Sequence, residues 1–364
     1  MAYTEKYVRA DAAGGGDGST DTNSGGSGAW TWAEMLTNLS AGQRANIKAG
    51  SYSRTTSNDT FSGSFSFTNP AAIRGFNATA GDLDSVDFLG GGGDPVTTNW
   101  PAVTYTTGSL TLAAGMAVEG NIKVDGAPTG KLVIYGNIII CHRLWVNNTH
   151  ASSSTAVGLS TEAQWGVVSE CYVKTDSSDS SAVALRADAS QIVGCRVECP
   201  SGRGILAVNT PQINNCAILN CDVGISLTGT FQPTAFNCSF YNCATACISG
   251  TGFGLGAVNC VAYSCGKFFD GGSNPMIISH CATGGMGGAN TGTDDWPVLY
   301  GVSLSTSPFT SSSNLTLNST AGGGADCQRA GLLGKNIGAF GDTGGGGPSG
   351  GLLTHPGMAG GMRA

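Results

Sequence analysis

Charge is scarce in this sequence: 11% of its 364 residues are Asp, Glu, Lys or Arg, and four are His. The net charge of −7 and the pI near 5 leave no basic surface for a nucleic-acid backbone. Long apolar runs are missing too. The most apolar stretch, residues 132–146, is broken by Asn137, His142 and Arg143, short of the roughly 20 residues a membrane span needs. The first residues, Met1 to Lys6, form no apolar signal region, so the expectation is a protein made and folded in a cytoplasm. What the chain has in plenty is Gly, 58 residues of it, which suits turn-rich coils with small outward side chains.

It also has a period. Cysteines stand at Cys171, Cys195, Cys216, Cys238, Cys260 and Cys281, in steps of 24, 21, 22, 22 and 21. A second series, Cys199, Cys221, Cys243 and Cys265, repeats every 22 residues. Self-similarity of this length marks a solenoid whose coils bury their apolar faces by stacking. Two residues after the first series come Val173, Val197, Ile218, Phe240 and Ala262. Three residues before it come Val168, Ile192, Ile213, Ala235, Ala257 and Ile278. Both columns are predicted to point inward. The alternate columns, Tyr172, Arg196, Ala217, Ser239 and Val261, then Lys174, Glu198, Leu219, Tyr241 and Tyr263, are predicted to point outward, as a period of two requires. Asn215, Asn237, Asn259, Asn220 and Asn242 mark bends, because Asn tolerates the left-handed conformation and stacked amides can bond along the axis. A third inward face is read from Ile205, Ile225, Cys247 and Phe269.

Three short strands per coil, bends at Asn and Gly, and inward ladders of Ile, Val, Phe and Cys resemble the right-handed parallel β-helix of the pectate-lyase-like superfamily. The expected fold is therefore all-β: a solenoid of ~22-residue coils with an N-terminal capping helix and an extended C-terminal arm. Residues 1–60 read as a cap, with a strand near Tyr3 to Arg9, a helix over Trp30 to Leu39 and a return strand near Ile47. Residues 61–115 read as irregular first coils, 116–285 as the regular helix of seven or eight coils, 286–343 as a C-terminal cap and 344–364 as a Gly-rich arm. The Ser/Thr/Asn-rich stretch from Asn147 to Ser160 is expected to protrude as a loop.

The thirteen cysteines occupy columns otherwise filled by Val or Ile, which predicts reduced, buried thiols packing as small hydrophobes. Zinc at Cys141-His142 or His280-Cys281 is disfavoured, since a ladder spreads ligands along an axis. No cofactor or metal is expected. The resemblance implies, for an enzyme, a carboxylate cluster beside an Arg or Lys base. The acids of the coils share no column, and the fallback catalytic set is Arg186, Asp188 and Arg203. A carbohydrate-binding adhesin would use the outward stripe Leu219, Tyr241 and Tyr263.

The reading preferred from sequence is a structural protein of a bacteriophage virion, similar to β-helix head-decoration proteins and tail spikes, with capsid decoration ahead of a tail spike. That resemblance implies a homotrimer and other virion proteins as partners; a glycan is left open as a further ligand, and the charge and the short apolar runs argue against nucleic acid and membrane. The tail is too poor in apolar residues to fold alone, and ordering its glycines is costly. It is read as an arm that docks on a neighbouring chain through Leu352, Leu353, Met358 and Met362.

Overall fold

Three strips of short parallel strands wind about one axis in a computed structural model that describes residues 2–55, 58–84, 97–136, 140–161, 166–188, 191–209, 212–228, 234–250, 256–271, 277–288, 301–328, 330, 332 and 336–339. The first strip is an 11-stranded sheet running from Thr4–Val8 through Gln43–Lys48, Ala71–Phe76 and Met116–Gly120 to Ile277–Ser279. The second and third strips share a 17-stranded sheet, because in three coils they fuse into the long bent strands Arg196–Val208, Ala217–Thr228 and Ser239–Gly250. Every ladder is parallel, so each backbone group is satisfied by the coil before or after it. Eight first-strip strands lie between Met116 and Ser279, about seven coil steps, and the chain is a right-handed parallel β-helix.

The inward columns fall where the period places them. Val168, Ile192, Ile213, Ala235, Ala257 and Ile278 are all buried, as are Val173, Val197, Ile218, Phe240 and Ala262. All thirteen cysteines are buried and unpaired. The third face needs a correction of one residue. Its column runs Ile205, Ile225, Ile248, Phe269, because the coil at Ser239–Gly250 holds one extra residue after Cys243 and pairs Val223 with Ala246. Cys247 sits one place before the column and is buried beside it.

One corner recurs in every coil from Met116 onward and explains the Asn positions. Asn121, Arg143, Glu170, Gly194, Asn215, Asn237, Asn259 and His280 all adopt φ between 48° and 63°, and from Asn121 to Asn259 each donates its N–H to the next coil's carbonyl. Arg143 and Glu170 are unusual residues for this conformation, which hides the corner from a sequence reading in those coils. Amide stacking along the axis occurs at the second bend, where Asn242 Nδ2 donates to Asn220 Oδ1 at 3.0 Å.

The N-terminal end is plugged by the helix Trp32–Asn38. It starts where it does because Thr31 and Glu34 form a capping box: Thr31 Oγ1 accepts from Glu34 N at 3.2 Å, and Glu34 Oε2 accepts from Thr31 N at 2.8 Å. Trp32, Met35 and Leu36 then face the core and cover the first coil. Trp32 Nε1, Tyr105 OH and the Arg54 guanidinium all donate to the buried carboxylate of Asp59, at 2.8–2.9 Å, which pins the helix to the strands beneath.

The stretch from Asn147 to Ser160 does not protrude as expected. It holds the ends of the strands Leu144–Asn148 and Val157–Thr161, and Asn148, Ser153 and Ser160 are buried. Asn148 Nδ2 donates to Gly130 O and Val157 O, and Ser153 Oγ to Thr129 O, so polar side chains tie the segment to the coil before it.

Candidate functional site

A parallel β-helix offers ligands the outward faces of its strips. On the second strip, ladder register stacks Lys123, Trp145, Tyr172, Arg196, Ala217, Ser239 and Val261 in one outward column. The neighbouring column holds Asp125, Asn147, Lys174, Glu198, Leu219, Tyr241 and Tyr263. The outward direction is as predicted, but the exposure is not. Ala217, Leu219 and Val261 are fully buried, and Tyr241 and Tyr263 are partly covered.

The cover is the chain's own C-terminal segment. Val302–Leu304 adds a last strand to the second strip beside Ala282–Gly284. The chain then turns back along the flank, placing Phe309, Leu315, Leu317, Cys327 and Ile337 over the stripe, with Phe309 edge-on to Tyr241. Asn318 holds the reversal, its Nδ2 donating to Ser307 O and Phe309 O. The segment ends on earlier coils, Gly338 N donating to Asn259 O and Ala339 N to Ser239 Oγ, both at 2.8 Å. The described residues between 302 and 339 therefore form a strap along the flank, and Leu219, Tyr241 and Tyr263 are not an open platform.

Where the strap stops, the same face turns polar and aromatic. Arg196, 2% exposed at its side chain, pairs with Glu198 at 2.7 Å, donates to Ser313 O and lies over the Tyr172 ring. Lys123 lies 4.2 Å from the centroid of the Trp145 ring, which in turn packs against Tyr172. One face of Trp145 is thus already taken by a cation, and burial pushes the Asp125 carboxyl above its ordinary range despite its Lys123 partner.

On the third strip the structure brings together two of the three fallback residues. Arg186 and Asp188 belong to Val183–Asp188 and both turn outward. Arg203 lies in the next coil, in the row of Val183, three residue positions from the row of Arg186. Two residues that sequence reasoning missed join them. Ser160 is the ladder neighbour of Arg186 in the preceding coil, and Lys131 lies one coil further back, in the row of Val157, Val183 and Arg203, within electrostatic reach of Arg186 and Asp188. Their separations of 26 and 55 positions from Arg186 do not fit the 22-residue period, so only the register reveals them. Asp188 is held by Asn209 Nδ2 at 2.8 Å, and its N–H donates to Thr161 Oγ1.

The docking residues Leu352, Leu353, Met358 and Met362, with all of 344–364, lie outside the described residues. Among the described residues no three His, Cys, Asp or Glu side chains gather as a metal site, and no helix is long and apolar enough to cross a membrane.

No protein-family model and no curated protein matches the sequence. Among solved structures the chain is similar to the crystal structure of pectate lyase Pel9A, with a TM-score of 0.59 and 10% identity, covering 93% of this chain and 96% of that one. At this identity the likeness establishes the fold alone.

Proposed function

We propose that this chain is a structural protein of a bacteriophage virion, a capsid decoration protein in which the β-helix is a rigid post and residues 344–364 are the attachment arm. The observation that carries the reading is the strap. The chain seals its own apolar flank, and its last described residues lie against Asn259 and Ser239, on the flank of the C-terminal coils and two to three ladder steps back from the last strand. An arm continuing from that point starts at the side of the post, where a neighbouring virion protein can receive Leu352, Leu353, Met358 and Met362. Trimerisation and assembly in a host cytoplasm belong to the same proposal.

Mass spectrometry of purified particles tests it: the chain should be present at a copy number comparable with that of the major capsid protein. Deleting 344–364 should leave the melting of the isolated protein unchanged and deplete it from particles. Absence of the chain from particles, or full occupancy by the truncated form, overturns the reading.

A second reading is supported by Arg186 and Asp188 sharing an outward face with Lys131, in a fold similar to that of a pectate lyase. It makes the third strip a site of action on acidic polysaccharide. Incubation with pectate, alginate and capsular polysaccharide should then release unsaturated or reducing ends, with loss in Arg186→Ala; no release from any substrate removes it.

A further inference from the structure

The described arginines divide into two groups. Arg9, Arg44, Arg54, Arg74, Arg143 and Arg196 each pair with a carboxylate at 2.5–3.2 Å. Among the described residues Arg186 and Arg203 are the exceptions: neither side chain makes an ion pair or hydrogen bond, and both lie on the outward side of the third strip, half-buried. Arg186 Nε is buried with no acceptor, which is costly for a guanidinium nitrogen.

Its ladder neighbour repeats the pattern. Ser160 is fully buried, and its Oγ has no partner either. Adjacent coils are ~4.8 Å apart, so a hydroxyl and a guanidinium in the same outward column can reach one ligand atom group between them. Lys131 adds a second cation nearby; burial and the Arg186 charge both push its ammonium below the ordinary lysine range, while Asp188 pulls the other way. Among the described residues Asp188 is the carboxylate of the cluster, and Asn209 already occupies one of its oxygens. The cluster thus holds two buried groups with no partner, Arg186 Nε and Ser160 Oγ, side by side in one ladder column.

We propose that Arg186 and Ser160, with Lys131 beside them, form a binding site for an oxyanion group, a phosphate, sulfate or carboxylate, carried by a larger ligand. Arg186 supplies the fork of N–H donors, Ser160 a hydroxyl donor, and Lys131 a point charge, the combination that a planar or tetrahedral oxyanion needs. The inference concerns binding and is independent of both the virion role and turnover of a polysaccharide.

Calorimetric titration of the full chain with sodium phosphate, sodium sulfate and sodium glucuronate, against sodium chloride at matched ionic strength, tests it. Saturable binding of at least one anion is expected, and the anion preferred distinguishes a phosphorylated or sulfated ligand from a uronate. Arg186→Gln should weaken that binding about tenfold or more, the loss of a charge-assisted hydrogen bond. Ser160→Ala should weaken it less, and Asp188→Asn should strengthen it by removing the repelling carboxylate. Unchanged melting of each variant without ligand shows that the fold is intact. Failure of every anion to saturate, or equal binding by wild type and Arg186→Gln, overturns the proposal.

Discussion

The two ends of the solenoid are held together by different chemistry. From residue 5 to residue 198 ion pairs recur: Arg9 with Asp11 and Asp21, Arg44 with Glu5 and Glu119, Arg54 with Asp59, Arg74 with Asp84, Arg143 with Glu170 and Arg196 with Glu198. Beyond residue 198 the described residues show one ion pair, Lys267 with Asp270. There the core is lined by thiols, and the flank is sealed by the apolar strap. The difference follows coil regularity. Uniform coils let one small residue type repeat in a column and pack on itself, whereas the N-terminal coils vary in length, 45 residues separating the strands that begin at Ala71 and Met116, and rely on specific polar pairs.

The largest effect that separates the two ends is expected in the thiol column. Cys238→Arg places a charge among fully buried neighbours and should cost more than about 4 kcal/mol, splitting the solenoid at that coil, while Cys238→Val should change stability by less than ~1.5 kcal/mol. Equal melting of the two variants would show that the column does not face the core.

The N-terminal counterpart is Asp59→Ala, which strips acceptors from Trp32, Tyr105 and Arg54 and should destabilise by about 3–5 kcal/mol. Stacked coils couple mainly to their neighbours, so this loss should appear as an early transition of the N-terminal coils, with exchange protection retained around Cys238. Uniform loss of protection along the chain would contradict that independence.

On the strapped flank, Leu219→Ala should cost about 2–3 kcal/mol and open residues 305–339 to protease before the coils unfold. If digestion of that segment is no faster than in wild type, the strap does not depend on the stripe. The smallest effect belongs to the cap. Thr31→Ala should cost about 0.5–2 kcal/mol. Hydrogen bonds from the Thr31 N–H hold the Glu34 carboxyl below its ordinary range, so its contribution is present above the unfolded carboxyl value and is lost as pH falls through the lower folded one. A melting profile of Glu34→Gln with the same acid slope as wild type would remove that assignment.

This contrast also sets what was legible in the sequence. The coils from Cys195 to Cys281 announced themselves because their columns repeat at nearly fixed spacing, and the inward residues were placed correctly apart from the one-residue slip at Cys247. The strap was illegible: Phe309, Leu315, Leu317 and Ile337 follow no period, and their partners Leu219 and Tyr241 looked exposed because alternation reports direction and not what lies above it. The oxyanion cluster was half visible. Arg186 and Asp188 stand two residues apart, but Ser160 and Lys131 reach them through long, irregular coils.

Every functional reading given to this molecule rests on a stack of coils with its thiols inside. Burial raises the thiols of Cys221, Cys238 and Cys260 well above their ordinary range, which keeps them protonated and slow to react at neutral pH. Counting reactive thiols without reductant, first in the native protein and then in denaturant, tests this most directly. The account predicts almost no reaction in the native state and all thirteen thiols on unfolding; rapid native labelling along the column, or a denatured count well short of thirteen, would contradict it.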